Sequence, residues 1–174
     1  ATNLITGIAD AQIDSTPLVC ITGQVPSQLL GTDAFQESDV IGISMPVTKW
    51  NYQITSSDEI GEIISKAFYI AKSGRPGPVL IDITKDAQFS EVDFNYDKCE
   101  RIRSYHPYPI IKEKKIIKAS KLINKAKKPL ILVGQGVLLS NAENELIKFS
   151  EITGIPLAST LLGLSAVSCD HKNY

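Results

Sequence analysis

Leu18-Val19-Cys20-Ile21-Thr22-Gly23-Gln24-Val25-Pro26 is an apolar run that gives way to a polar stretch broken by glycine and proline. A buried strand that ends in such a loop is where an open α/β sheet places its ligand site. The loop continues through Gly31-Thr32-Asp33-Ala34-Phe35-Gln36-Glu37. It is too long for a tight connection, and long loops at strand ends carry function more often than not. Gln36 and Glu37 offer polar handles. Leu29, Leu30 and Phe35 leave a second reading open, in which the loop packs Phe35 into the protein's own core.

Outward from this strand, the pattern predicts a helix over residues 1 to about 14. Leu4, Ile5, Ile8, Ala9 and Ile13 recur at helical spacing, Thr2 or Asn3 can cap it, and Asp14-Ser15-Thr16-Pro17 stops it. Trp50, Tyr52 and Ile54 alternate with polar residues and predict a short strand over 48–54. A second helix is expected from about Ser57 to Lys72. Ser56 and Glu59 have capping-box spacing, and Ile60, Ile63, Ile64, Ala67, Phe68 and Ala71 form one apolar stripe. Val79 to Ile83 then reads as a buried strand ending in the polar loop Thr84-Lys85-Asp86. Residues 87–111 have no period and contain Pro107 and Pro109, which reads as an interdomain linker.

A second unit follows. Ile116, Ala119, Ile123 and Ala126 mark a helix, Leu130 to Val133 a strand, and Gly134-Gln135-Gly136 a glycine loop. Ser140 and Glu143 again have capping-box spacing before a helix to about Thr153, and Leu157 to Thr160 is a last strand. Helix, strand, glycine loop, helix, strand is the rhythm of a parallel α/β sheet. The chain therefore reads as α/β, with parts of two Rossmann-like parallel-sheet domains.

The 174 residues carry a net charge of −1, so nothing global points to nucleic acid. Lys112, Lys114, Lys115, Lys118 and Lys121 cluster locally and read as a solvated helix face. No apolar run is long enough to span a membrane. Three scattered cysteines and two isolated histidines support neither a disulfide framework nor a metal site. A reducing compartment, the cytoplasm, fits this usage.

Three further features each carry two readings. Gly134-Gln135-Gly136 sits where backbone N–H groups and a helix N-terminus meet phosphates, but Leu139 replaces the third glycine of a dinucleotide fingerprint. It reads either as a tight turn or as a nucleotide loop. Ser73-Gly74-Arg75-Pro76-Gly77-Pro78 is either a helix-to-strand turn or a rigid mount for an anion-binding Arg75. Lys85 lies at the presumed ligand end of the sheet, either solvated or functional.

Taken together, these strings resemble the acetolactate synthase (acetohydroxyacid synthase) catalytic-subunit family. Ala1 to Leu4, Ile21 to Pro26, Gly31 to Glu37, Ser73 to Pro78, Lys85-Asp86, Lys127 to Pro129, Gly134 to Gly136, and Ala158 to Leu161 with Gly163 keep that family's order and spacing. The resemblance implies a thiamine-diphosphate enzyme that decarboxylates pyruvate and joins the remaining unit to pyruvate or 2-ketobutyrate, toward valine, leucine and isoleucine. Residues 1–86 would be the later part of the pyrimidine-binding domain, 87–111 a linker, and 112–174 the first part of the central FAD-binding domain. Gln36 and Phe35 match positions beside thiamine diphosphate. Pro26, Ala34 and Lys85 match the substrate channel. Ser15, Arg75, Gly134, Gly136, Thr160 and Leu161 match contacts of a largely structural FAD. Gln28 departs from an arginine that some members carry in the channel. Gln135 departs from a glycine, a change a negative φ tolerates.

By the same resemblance the chain reads as an internal piece. The activating glutamate is expected before Ala1 and the Mg²⁺ motif after Tyr174, so no catalytic or metal-binding residue is assigned. The 174 residues alone are expected to be inactive; acetolactate formed by the purified piece would refute this. A homo-oligomer and a small regulatory subunit are implied partners, in the cytoplasm or in a plastid or mitochondrion. The alternatives are another thiamine-diphosphate carboligase or decarboxylase, or a non-catalytic nucleotide-binding module.

Overall fold

A computed structural model describes residues Ala1–Tyr174, which divide into two units, Ala1–Pro109 and Ile110–Tyr174. The first opens with a 3-10 turn, Thr2–Leu4, that runs into helix α1 (Ile5–Ile13). Neither Thr2 nor Asn3 caps it, because the 3-10 turn itself supplies the entry. Strand β1 (Leu18–Gln24) extends beyond the apolar run that predicts it. Its parallel pairing with a later strand continues through Gln24, so tertiary hydrogen bonding carries Thr22-Gly23-Gln24 into the sheet. Helix α2 (Val40–Ser44) is capped by Asp39, whose carboxylate accepts the Gly42 N–H at 2.8 Å.

Strand β2 (Trp50–Ile54) lies where the alternation predicts it. A 3-10 turn, Ser57–Glu59, leads into helix α3 (Ile60–Lys72). The expected capping box is half formed: Ser56 Oγ accepts the Asp58 N–H at 3.4 Å, and Glu59 does not reciprocate. Phe68 is exposed and falls outside the expected stripe, whereas Ile63, Ala67, Ile70 and Ala71 are buried. Strand β3 (Pro78–Thr84) is buried along its whole length. The expected polar loop at Lys85 is the first turn of helix α4 (Lys85–Phe89).

The three strands are parallel in the order β1-β3-β2. A central parallel strand is covered on both faces and must be apolar on both. Val79, Ile81 and Ile83 of β3 pack with Ile63, Ala67, Ile70 and Ala71 of α3, while Leu80 packs with Ile8 of α1 and Val40 of α2. Residues 90–109 hold no helix or strand, yet they belong to this unit. Ile102 and Tyr105 pack on the α3 core, and Cys99 N–H donates to Ser65 Oγ at 2.6 Å.

In the second unit, helix α5 (Glu113–Lys125) is exposed throughout and carries the lysine cluster. Strand β4 (Ile131–Val133) is followed by a one-turn helix α6 (Gly136–Leu139), then α7 (Glu143–Thr153) and β5 (Leu157–Ser159). Ser140 does not cap α7. Its hydroxyl donates back to Gly136 O at 2.7 Å and Val137 O at 3.1 Å, tying down α6 instead. Gly154 ends α7 at φ 67°. Strands β4 and β5 pair in parallel, and Val133, Leu157, Ala166 and Val167 form the core. The parallel α/β class expected from the sequence holds in both units.

Candidate active-site cleft and glycine loop

The first unit places its polar residues at the carboxyl edge of β1 and β3, where parallel sheets put ligand sites. Gly23, Gln24, Val25, Pro26, Leu29, Ala34, Phe35, Gln36 and Lys85 line a cleft of about 370 Å³. Pro26, Ala34, Phe35, Gln36 and Lys85, the residues singled out around this strand end, thus converge on one surface. Phe35 is 88% exposed, so the loop does not bury it in this unit's core.

The loop has a built shape. Gly31, Asp33 and Gln36 take positive φ angles of 77°, 56° and 65°. For Asp33 and Gln36 that conformation costs about 1 kcal/mol each, so something must hold it. Glu37 does: its carboxylate accepts the N–H groups of Gly31 and, at 3.1 Å, Ala34. The Gly31 N–H, with those of Ala34, Thr32 and Asp33, outweighs desolvation and holds the Glu37 carboxyl below the usual range. Glu37 is therefore a staple inside the loop, while Phe35 and Gln36 are displayed. A second carboxylate joins the two strand ends. Asp86 accepts Ser27 Oγ at 2.5 Å and Ser27 N–H at 2.9 Å, which hold it far below the usual carboxylate range.

The sequence reading passed over Asp82. It lies in the middle of β3 at zero exposure and accepts from both flanking strands. Thr22 Oγ1 donates to its Oδ1 at 2.7 Å, and the amides of Gln24 and Gln53 donate to its Oδ2 at 3.1 and 3.0 Å. An acid embedded in an apolar strand was the available signal; its partners are 60, 58 and 29 residues away in sequence.

Arg75 and Ser15 meet at the other end of this sheet. Arg75 Nε donates to Ser15 Oγ at 2.7 Å, and Nη2 donates to Ile13 O at 3.0 Å. The guanidinium thereby serves the last carbonyls of α1, where a cation is favoured. Ser15, buried at φ 57°, marks the sharp exit from that helix.

In the second unit, Gly134, Gly136, Thr160 and Leu161 gather at the carboxyl ends of β4 and β5. Thr160 N–H donates to Val133 O at 2.9 Å, and Leu161 is 82% exposed. A Cβ added at Gly134 or Gly136 would meet open space. Gln135 takes φ −55°, the negative value that accommodates its side chain. Beside this loop, Ser159 Oγ is buried and has no hydrogen-bond partner.

Two family models match the chain. Residues 1–43 match the thiamine pyrophosphate enzyme N-terminal TPP-binding domain, and residues 116–174 match the thiamine pyrophosphate enzyme central domain. The chain is 49% identical to the acetolactate synthase large subunit of Corynebacterium glutamicum over 99% of its own length and 28% of that protein's. It is 48% identical to the probable acetolactate synthase large subunit of Methanococcus aeolicus over 98% of this chain and 29% of that one. The chain belongs to the acetolactate synthase large-subunit family of thiamine pyrophosphate enzymes. It is also 46% identical to a chloroplastic acetolactate synthase of Arabidopsis thaliana, over 99% of this chain and 26% of that protein. The chain thus spans less than a third of the length of the curated relatives it matches.

Thiamine diphosphate is the cofactor of this family. The cleft fits part of it: the exposed ring of Phe35 and the exposed amide of Gln36 stand free on a loop whose strained shape is held by other residues. No helix is long and apolar enough to cross a membrane.

Proposed function

We propose that this chain supplies part of the active site of an acetolactate synthase, which condenses pyruvate, after decarboxylation, with pyruvate or 2-ketobutyrate in branched-chain amino-acid biosynthesis. The observation that carries the reading is the convergence of Pro26, Ala34, Phe35, Gln36 and Lys85 on one cleft at the carboxyl edge of a parallel sheet. The close similarity to acetolactate synthases along nearly the whole chain supports the choice of reaction.

Thiamine diphosphate, when bound, supplies the electron sink for decarboxylation and for forming the new carbon–carbon bond. The chain's own residues bind and orient. Gln36 offers amide donors and an acceptor, and Phe35 an apolar face, to the cofactor's pyrimidine end. Lys85, exposed at the head of α4, attracts the carboxylate of the incoming 2-keto acid. Pro26 and Ala34 are small and apolar, and keep the entry free of competing hydrogen bonds.

The same reading gives FAD a structural place. In the second unit, open space over Gly134 and Gly136 and the unpaired Ser159 hydroxyl fit a close-lying polar group such as the flavin nucleotide, with Thr160 and Leu161 beside it. In the first unit, the exposed guanidinium of Arg75, oriented by Ser15, fits an anion. No residue of this chain is assigned to magnesium. A homo-oligomer and a small regulatory subunit are the expected partners; the relatives' designation as large subunits supports the latter. The compartment follows the source: the cytoplasm, or an organelle as in the chloroplastic relatives.

The test is expression of the whole protein that contains these residues, supplied with thiamine diphosphate, Mg²⁺, FAD and pyruvate. Acetolactate is the expected product; failure to release CO₂ from pyruvate overturns the reading. Lys85→Ala should raise KM for pyruvate about tenfold with a smaller change in kcat, as loss of a charge-assisted contact to substrate requires.

A further inference from the structure

We propose that Asp82 is a positioning residue for the site loop: through Gln24 it holds both ends of residues 25–38 and so sets the shape of the cleft. The inference rests on the reading above, which gives that cleft to thiamine diphosphate and a 2-keto acid.

Asp82 is an unexpected choice for its place. It sits in a strand that is otherwise apolar or hydroxyl-bearing and wholly buried, where an apolar side chain of similar volume is commonly as stable or more so. The structure shows what the acid does there. Of its three donors, Thr22 and Gln53 only satisfy it. Gln24 passes its orientation on. One amide hydrogen of Gln24 goes to Asp82 at 3.1 Å, and the other goes to the carbonyl of Ser38 at 2.9 Å. Its amide oxygen accepts the N–H of Val25 at 2.9 Å.

Val25 N–H and Ser38 C=O are the first and last backbone groups of the loop that carries Pro26, Ala34, Phe35 and Gln36. One buried amide therefore closes the loop at its base, and Asp82 decides which way that amide points. If the acid is removed, Gln24 is free to turn, and the loop keeps its internal turns, the staple at Glu37 and the Ser27–Asp86 tie but loses the fixed amide at its base. Gln53 provides a built-in control. It gives the same kind of donor to the same Asp82 oxygen and does not tie residues 25–38 through that amide.

The experiment uses the full-length enzyme that contains this chain. Four variants are compared: Asp82→Leu, Asp82→Asn, Gln24→Met and Gln53→Leu. Amide hydrogen exchange of residues 25–38, the dissociation constant for thiamine diphosphate and Tm are measured for each. Asp82→Leu and Gln24→Met should speed loop exchange and weaken cofactor binding by about tenfold or more, as loss of one to two net hydrogen bonds dictates. Asp82→Asn should stay within about threefold of the parent, because Thr22 can reverse its hydroxyl and accept from the new amide. Gln53→Leu should lower Tm while leaving loop exchange and cofactor binding within about threefold.

The proposal is overturned if loop exchange and cofactor affinity simply follow Tm across the set, or if Gln24→Met leaves both at the parental level. Should Asp82→Leu fail to fold, Gln24→Met against Gln53→Leu decides the matter. A parent enzyme that forms no acetolactate defeats the functional reading alone; the exchange contrast still tests the clamp.

Discussion

Glu37 and Asp86 tie their stretches of chain through carboxylates, and both carboxyls are held below their usual range, Glu37 chiefly by the Gly31 N–H and Asp86 chiefly by the Ser27 hydroxyl. A carboxyl whose folded pKa lies below its unfolded one stabilises the fold at neutral pH. That contribution is complete above the unfolded values, about 4.3 for Glu and 3.9 for Asp, and is lost as pH falls toward the folded ones. The loop over residues 25–38 should therefore loosen as pH drops below about 4.3, read as faster amide exchange after correction for intrinsic rates. Glu37→Gln should flatten that acid response; an unchanged profile would show that the staple is not what titrates. At this scale the sequence was legible where chemistry stood next to a chain break. Lys85 directly follows a strand end and Pro26 lies two residues past one, places that local pattern flags, whereas Phe35 and Gln36 took their expected roles from the family resemblance. Asp82 was not legible, because its role depends on donors supplied by neighbouring strands, and parallel pairing over tens of residues leaves no local trace. Arg75 was half legible: turn chemistry left it unexplained, and its bonds to Ser15 and Ile13 O explain it.

Elements show the same division. Apolar runs and apolar spacing located all five strands and three of the four longest helices, because burial is encoded locally, while α7 was placed by the spacing of Ser140 and Glu143. Caps were less legible, since Ser56 and Ser140 compete for several nearby backbone groups, and the winner depends on how the turn is wound. The one-turn helix α6 and the 3-10 segment Leu161–Ala166 were missed for lack of a period long enough to read. Three glycines of the second unit now separate by mechanism. A Cβ at Gly163 would lie 2.4 Å from Val133 O, which is backbone and has no rotamer to yield. Gly163→Ala should cost about 1–3 kcal/mol. Gly154→Ala, with open space but φ +67°, should cost about 1 kcal/mol. Gly134→Ala meets open space at ordinary φ and should change apo stability by less than about 0.5 kcal/mol, while weakening flavin binding if a nucleotide lies against that loop. Chemical denaturation and flavin titration of the whole protein check the three; a Gly163→Ala variant as stable as the parent would show that the close approach is relieved.

At the scale of the whole molecule, each unit leaves much apolar surface uncovered. Phe35, Phe89 and Phe94 in the first unit, and Ile110, Ile111, Leu132 and Leu161 in the second, are all more than two-thirds exposed. Large apolar side chains left this far in solvent favour association, and both sheets have open edges. The 174 residues alone should bind a hydrophobic dye, associate with rising concentration and melt over a broad range. A sharp, concentration-independent transition without dye binding would count against this. The polar node in the first sheet reaches further still. Asp82 pairs in register with Thr22 on one side and Gln53 on the other. A slip of one residue in β1 would set Ile21 or Gly23 against the acid, and a slip in β2 would set Tyr52 or Ile54 there. Either error takes from the buried carboxyl the donors of one flanking strand, at a cost of about 1–3 kcal/mol. The sheet thus carries its own check on register: only one alignment of the three strands gives the acid all of its donors.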